Sequence, residues 1–187
     1  MRKIIAYLAT SADGYIARPD GDVQWLDRPH PPGDYGMAEF YRSIDTVLLG
    51  RKTWEMGVKL GQESFTGKKN YVFSRSPRSS KTKGVEFVTE EPGKLARRLK
   101  KETGKDIWMV GGASLIASFL DAAQIDDLIV NVIPVLIGEG IPLVEPGRRE
   151  LPLTLQSSQA YPDGVVRLHY AVGKERPPSA SRLPPPD

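Results

Sequence analysis

The chain has 187 residues, of which 40% are hydrophobic and 26% are charged, and its net charge is +3. This composition is typical of one globular domain with a sizeable core, and the charge excess is too small to indicate nucleic-acid binding by itself. The chain has no cysteine, which excludes disulfides, thiolate metal sites and cysteine nucleophiles. No apolar run approaches the roughly 20 residues of a membrane span, and we therefore expect a cytoplasmic protein that binds neither membranes nor nucleic acid.

Short apolar runs bounded by turn residues predict a series of buried strands along the chain. These runs are rich in β-branched and aromatic residues, which favour strands over helices. The predicted strands cover residues 4–9, 46–49, 71–73, 85–88, 107–110 and 128–135.

Helical patterns lie between several of these strands. The segment 92–102 has a proline near its start and lysines near its end, a charge distribution that complements the helix dipole. The segment 113–123 carries its apolar residues on one stripe, and 37–43 predicts a shorter helix. Strands that alternate with helices predict an α/β fold, with a mostly parallel central sheet and helices on both of its faces.

The C-terminal part of the chain has a different pattern. Two alternating strands joined by Pro162, Asp163 and Gly164 predict an antiparallel hairpin that completes the sheet. Beyond Gly173 the sequence is rich in proline and almost without apolar residues. We therefore expect one domain over residues 1–173 and a flexible tail over 174–187.

Three turns that contain glycine follow predicted strands. Residues 50–53 (GRKT) and 111–114 (GGAS) each come before a helix, and Gly138 and Gly140 follow the longest apolar run. Glycines at a strand-to-helix turn let backbone N–H groups approach a phosphate at the positive end of the helix. Taken singly, such a turn more often reflects plain loop geometry than a phosphate site, and a pair such as Arg51 and Lys52 is more often a solvated surface pair. The sequence contains neither a P-loop nor a G-x-G-x-x-G fingerprint.

Four motifs occur in a characteristic order along the chain. They are LATSADGYIARPDG at 8–21, GRKTWE at 50–55, VGGASL at 110–115 and IPVLIGEGIPL at 133–143. Together they resemble the dihydrofolate reductase-like superfamily, specifically the branch similar to the C-terminal reductase domain of bacterial riboflavin biosynthesis proteins. The resemblance covers about residues 2–172. It implies a dihydrofolate reductase-like fold, NADPH as the cofactor, and a homodimer.

The resemblance also implies that NADPH lies across the carboxyl ends of the central strands. Its phosphates would meet the two glycine turns, and its 2′-phosphate and adenine would lie beside Ser74 and Arg75. Its carboxamide would meet Ala9 and Thr10, with Ile16 as an apolar wall for the ring. Fixed arginines would favour NADPH over NADH. The cofactor-binding residues implied in this way are Ala9, Thr10, Ile16, Gly50, Arg51, Lys52, Thr53, Ser74, Arg75, Gly111, Gly112, Ala113 and Ser114.

The sequence signals for the substrate side of the site are less specific than those for the cofactor side. The loop that runs to Trp25 resembles the mobile lid of the reductases, and Trp25 either lines the substrate pocket or anchors this loop. Dihydrofolate reductases hold their substrate with a buried carboxylate on the first helix, and Asp34 and Glu39 are the candidates for this catalytic acid. Neither matches the pattern cleanly, which argues against folate as the substrate. His30 and His169 show no metal-ligand spacing, so we expect no metal site.

The leading hypothesis is hydride transfer from NADPH to an unsaturated bond of a small heterocycle, either pterin-like or similar to a riboflavin precursor. An NADPH-binding regulatory module without turnover is the alternative, and it would lack a competent proton donor. A basic nucleic-acid binder is disfavoured, because no strand face interleaves aromatic and basic residues.

Overall fold

The computed structural model describes residues 1–29, 33–147 and 149–173. His30 and the tail predicted over 174–187 lie outside the described residues. Ten strands and four α-helices form from the described residues. The strands are β1 Ile4–Ser11, β2 Tyr15–Ala17, β3 Ile44–Gly50, β4 Lys69–Phe73, β5 Val85–Val88, β6 Asp106–Gly111, β7 Asp127–Ile133, β8 Ile141–Pro142, β9 Leu153–Ala160 and β10 Val166–Val172. The helices are α1 Met37–Ser43, α2 Arg51–Lys59, α3 Pro92–Lys101 and α4 Ala113–Asp121.

Eight strands build one central sheet in the order β5-β4-β3-β6-β1-β7-β10-β9. The first six are parallel to one another, whereas β10 is antiparallel to both β7 and β9. The predicted mostly parallel sheet with a C-terminal antiparallel hairpin is therefore confirmed. The carboxyl ends of the six parallel strands lie along one border of the sheet, which we call the carboxyl edge. The turn of the hairpin lies at this same edge, because Val166 pairs with Val132 near the end of β7.

Helices α3 and α4 cover one face of the sheet. Leu95 and Leu99 of α3 and Phe119 of α4 are fully buried against alternate residues of the strands, such as Ile4 and Met109. Burying each of these large side chains contributes roughly 1.5–3 kcal/mol. We call this side of the sheet the α4 face.

The start of α3 shows how local sequence sets a helix boundary. Pro92 occupies the first turn, where its missing N–H is not needed. The carboxylate of Glu91 accepts hydrogen bonds from the backbone N–H groups of Gly93 and Lys94, at 2.8 and 2.7 Å. These bonds satisfy donors that a helix start otherwise leaves without partners.

Helices α1 and α2 cover the opposite face, which we call the α1 face. Its core is aromatic: Phe40 of α1 packs edge-to-face on Tyr7 and on Trp108, with ring centroids 4.7 and 5.6 Å apart. The indole N–H of Trp108 donates to the carbonyl of Tyr7 at 2.8 Å. Alternate strand residues supply the two faces, as the period of a strand requires.

Two local features differ from the sequence expectations. Strand β7 ends at Ile133 rather than at residue 135, because Pro134 has no N–H to donate and the chain turns there. A small ribbon of β2 paired with β8 was not predicted. It requires glycine at position 140, where a Cβ would overlap the carbonyl oxygen of Ala17. Among the helices of the described ranges, none is long and apolar enough to cross a membrane.

Candidate active site

The two glycine turns lie side by side at the carboxyl edge. Strand β3 ends at Gly50 and β6 ends at Gly111, and these strands are neighbours, with Leu49 opposite Gly111. Gly112 has a φ of +93°, and a Cβ built on it would lie 3.3 Å from Thr53 Oγ1 and 4.0 Å from the Cα of Gly50. Any side chain at position 112 would therefore fill the space between the two turns.

Helices α2 and α4 both begin at these turns without a side-chain cap. The capping positions are Gly50 and Gly112, and neither helix start receives a hydrogen bond from a capping side chain. Glu91 caps α3, by contrast, which shows that the chain provides caps elsewhere. Two helix starts with uncapped N–H groups place partial positive charge at one spot, and such a spot binds an anionic group such as a phosphate.

The cationic side chains beside the first turn have an acidic neighbour. Nη1 of Arg51 lies 2.6 and 2.8 Å from the two carboxylate oxygens of Glu55, one helical turn along α2. Arg78 approaches the same carboxylate at 3.9 Å, and Lys52 is exposed. A phosphate at this turn would have to compete with Glu55 for the guanidinium of Arg51.

The remaining predicted cofactor residues follow the same edge. Ser74 comes directly after β4, is buried, and donates its backbone N–H to the carbonyl of Val88 at 2.9 Å; Arg75 beside it is exposed. At the other end of the row, Ala9 and Thr10 lie near the end of β1.

Four neighbouring strands, β4, β3, β6 and β1, therefore carry the predicted residues in one row. Strands are spaced about 4.8 Å apart, so the row is about 14 Å long. Ile16 is half-buried and lies on β2, which packs beside β1.

The α1 face is open near the carboxyl edge. On β1, Ile5 and Tyr7 are 8% and 1% exposed, whereas Ala9, nearer the carboxyl end of the strand, is half-buried. Val110 near the end of β6 is also half-buried. Phe40 of α1 covers Tyr7, whereas Ala9 and Val110 are only half-buried by the described residues. We call these two positions the open strip.

A polar network borders this open strip. The hydroxyl of Tyr7 donates to the carbonyl of Tyr35 at 3.0 Å, and Asn131 Nδ2 lies 3.4 Å from the same hydroxyl. Nη1 of Arg167 donates to the Tyr35 carbonyl at 3.3 Å, and its guanidinium lies 5.5 Å from the centre of the Tyr7 ring. Burial raises the pKa of Tyr7, so its hydroxyl stays protonated and continues to donate.

A second set of contacts ties the hairpin turn to the loops before α1. The hydroxyl of Tyr35 donates to Asp163 Oδ2 at 2.6 Å, and Arg28 donates to the Asp163 carbonyl at 2.8 Å. The hydrogen bond from Tyr35 lowers the pKa of the Asp163 carboxyl. These contacts hold segments that are distant in sequence over the same part of the carboxyl edge.

A groove of about 780 Å³ lies between α1 and the loop that follows α2, and its lining includes neither the open strip nor the glycine turns. Its walls are mixed, with aromatic and aliphatic side chains beside hydroxyl groups. The principal lining residues are Met37, Tyr41, Val58, Phe65, Thr66 and Trp108.

Comparison with known proteins identifies the family. A family model described as the RibD C-terminal domain matches residues 2–167. The chain belongs to the RibD C-terminal domain family. The resemblance inferred from the four sequence motifs is therefore confirmed. Among curated relatives, the uncharacterized protein YwjB of Bacillus subtilis is 41% identical over 170 residues, which cover 90% of this chain and 97% of YwjB.

Solved structures of other proteins show the same fold. A putative riboflavin biosynthesis protein from Shewanella sp. PV-4 superposes with a TM-score of 0.82 at 24% identity, covering 91% of this chain and 98% of that one. A deaminase/5-amino-6-(5-phosphoribosylamino)uracil reductase from Thermotoga maritima gives a TM-score of 0.68 at 16% identity. That match covers 91% of this chain and 56% of the larger protein.

The candidate acids of this RibD C-terminal domain do not lie in an apolar cleft. Asp34 is exposed, and its carboxylate accepts hydrogen bonds from the N–H groups of Gly36 and Ala38 at the start of α1. Glu39 is exposed on the outer side of α1. Burial in an apolar cleft was the reason to expect a catalytic acid at these positions, and the structure does not provide that burial.

Trp25 lies in a short 3₁₀ turn, Gln24–Leu26, and is half-buried. Its indole N–H is buried and has no hydrogen-bond partner in the described parts of the chain. Both readings of this residue, as pocket wall or as loop anchor, are compatible with this position.

Sequence reasoning missed four polar residues near the open strip. Tyr7, Asn131 and Arg167 lie on predicted strands, and Asp163 was interpreted only as a turn residue. One signal for Asn131 was available, since it is the single polar residue inside the apolar run 128–135. A polar residue in a buried strand indicates a specific partner.

Proposed function

We propose that this protein is an NADPH-dependent reductase that transfers hydride to a small heterocycle, either pterin-like or similar to a riboflavin precursor. Membership of the RibD C-terminal domain family supports the proposal. The observation that carries it is the meeting of two uncapped helix starts at adjacent glycine turns. The Thermotoga maritima protein of the same fold is described as a deaminase and 5-amino-6-(5-phosphoribosylamino)uracil reductase, which agrees with a reductase function.

The residues present fit the phosphates of the cofactor. Backbone N–H groups at 51–53 and 113–114 would bind the pyrophosphate, because Gly112 leaves open the space that a side chain would fill. Arg51 and Arg75 would bind the 2′-phosphate, which favours NADPH over NADH. Lys52 would add to the positive potential from the exposed side of α2.

The reactive ring would lie at the other end of the row. Ala9 and Thr10 would contact the carboxamide, with Ile16 as an apolar wall. When bound, NADPH supplies a hydride from C4 of its dihydronicotinamide ring. The protein would hold the substrate ring against this position on the strip of Ala9 and Val110, and it would exclude water from the contact. Trp25, which is half-buried, is the proposed wall on the substrate side.

The exposure of the candidate acids favours a second function, a module that binds NADPH for regulation without turnover. Reduction needs a proton as well as a hydride, and Asp34 and Glu39 would have to move into the cleft to deliver it. If neither moves and no water delivers the proton, the site binds NADPH without completing a reduction.

One assay separates these functions. Purified protein is mixed with NADPH and a panel of pterins and aminopyrimidines, and the loss of NADPH absorbance is followed beside a direct titration of NADPH. A reductase consumes NADPH with at least one of these compounds and forms an equal amount of reduced product. Tight binding of NADPH without consumption supports the regulatory module, and absence of NADPH binding contradicts both functions.

We also propose a homodimer that forms through the free side of β9. Strand β9 is an edge strand of the central sheet, and each of its residues is exposed. Leu153 and Leu155 are 46% and 54% exposed. An exposed strand at a sheet border is a template for pairing with another strand, and apolar side chains there gain from being covered.

A further inference from the structure

Asn131 is buried at the border of the open strip. It lies on β7, is 7% exposed, and is flanked by Ala9 on β1 and Arg167 on β10. Residues paired in this way project from the same face of the sheet, so Asn131 shares the α1 face with Ala9. The neighbouring position on β1 therefore carries only a methyl group and is partly open.

The hydrogen bonds around Asn131 fix which way its amide points. Tyr7 has one hydroxyl proton, and it is donated to the carbonyl of Tyr35. The group of Asn131 that faces the Tyr7 hydroxyl must therefore be its NH₂, which donates at 3.4 Å. The side-chain carbonyl oxygen, Oδ1, consequently points away from Tyr7.

This oxygen has no hydrogen-bond partner among the described residues, although it is buried. Buried polar atoms are almost always paired, because an unpaired one has lost its water without compensation. An amide carbonyl accepts hydrogen bonds and does not donate them. Only an N–H or O–H group can therefore satisfy Oδ1 of Asn131.

We propose that Oδ1 of Asn131 accepts a ring N–H of the substrate, so that Asn131 selects heterocycles with a lactam or similar N–H edge. The proposal rests on the proposed function and adds a specificity-determining residue to it. Tyr7 acts through Asn131 as a positioning residue, since its hydroxyl holds the amide in the required orientation. A site built to pair with a substrate N–H rejects a ring that lacks it, because the oxygen is then left unpaired.

The carboxamide of nicotinamide also carries N–H groups, and it is the second possible source of this donor. The test therefore titrates two kinds of ligand. The first kind is 5,6-diaminouracil and its N1-methyl and N3-methyl derivatives, added to protein saturated with NADP⁺. The second is NADP⁺ itself, compared with 2′-phospho-ADP-ribose, which lacks the nicotinamide.

The titrations are made on wild type, Asn131→Leu, Asn131→Asp and Tyr7→Phe, with thermal melting to show that each variant folds. Asn131→Leu keeps the size and removes the acceptor, whereas Asn131→Asp keeps an acceptor. We expect one methyl derivative to bind wild type about tenfold more weakly than unmethylated 5,6-diaminouracil does, as the loss of one hydrogen bond predicts. The Asn131→Leu substitution should weaken the binding of this derivative little further. Asn131→Asp should retain the discrimination, and Tyr7→Phe should retain part of it.

An equal loss on methylation in wild type and Asn131→Leu overturns the proposal while leaving the reductase function intact. Weaker binding of NADP⁺ but not of 2′-phospho-ADP-ribose to Asn131→Leu also overturns it, because the oxygen then serves the cofactor. If wild type binds and reduces no heterocycle of the panel, the proposed function itself fails and the substrate assignment fails with it.

Discussion

At the scale of single residues, the pair of Arg51 and Glu55 controls the charge available to a phosphate. Glu55 lies 2.6 Å from the guanidinium that the cofactor would need. We predict that Glu55→Gln raises the affinity for NADPH several-fold and increases the ratio of the NADPH affinity to the NADH affinity. The reason is that Glu55 no longer competes with the phosphate for Arg51. Titration of both nucleotides measures the effect.

Glu102→Gln is the matched control for this change. Glu102 also pairs with an arginine four residues away, Arg98, and its side chain is 37% exposed, like that of Glu55. The control should leave both affinities unchanged. Equal effects of the two variants would contradict a role of Arg51 at the phosphate.

Asp163 gives the protein a stability that depends on pH. The hydrogen bond from Tyr35 lowers the pKa of its carboxyl, so the native state favours the ionised form. The resulting stability is present above the ordinary carboxyl pKa of about 3.9 and is lost as the pH falls through the lower native value. We predict that Asp163→Asn melts at a lower temperature than wild type near neutral pH and that the difference disappears in acid. A constant difference at every pH would show that the charge of Asp163 is not involved.

At the scale of elements, the contact between the turns before α2 and α4 depends on Gly112. A Cβ there meets Thr53 at 3.3 Å, and the φ of +93° is strained for any other residue. We predict that Gly112→Ala lowers the free energy of unfolding by about 1 kcal/mol and weakens NADPH binding at least tenfold. Denaturant unfolding and NADPH titration measure the two effects.

Gly67→Ala is the control that separates crowding between the two turns from backbone strain. Gly67 has a φ of +74°, but no atom lies within 4 Å of the position of its Cβ. Its substitution should cause a similar loss of stability without a loss of NADPH affinity. If Gly67→Ala weakens NADPH binding as much as Gly112→Ala, the space between the two turns is not where the phosphates bind.

The elements themselves follow well from sequence, because their signals are local. Strand 85–88 and helix 37–43 have the predicted bounds, and the other predicted elements are shifted by only a few residues. The ribbon of β2 and β8 was missed because two short segments far apart in sequence define it. The polar network was missed for the same reason: Tyr7, Asn131 and Arg167 come from three strands, and only the sheet order brings them together.

The glycine turns were predicted partly from local sequence and partly from the family resemblance. Their residues stand out in sequence, and the order β3-β6 places them side by side as the family resemblance implied. The candidate acids show the opposite situation. The carboxylate expected on the first helix suggested Asp34 and Glu39. Their exposure depends on how short α1 is and where it lies on the sheet, which the sequence pattern does not specify.

At the scale of the whole molecule, the exposed border strand β9 makes assembly testable. We predict a dimer for wild type in sedimentation velocity and a monomer for Leu155→Lys, because a charge on the exposed strand opposes pairing. Lys59→Glu, a charge change in the exposed end of α2, is the control and should remain dimeric. A monomeric wild type would contradict the proposed homodimer without affecting the cofactor site.

The proposed function depends on the turns after β3 and β6 binding one dinucleotide together. Two-dimensional NMR of the backbone amides during an NADPH titration tests this shared binding. We predict that the amide resonances of residues 51–53 and 112–114 shift in parallel and saturate at the same NADPH concentration. Shifts at only one of the turns, or shifts that saturate at different concentrations, would contradict it.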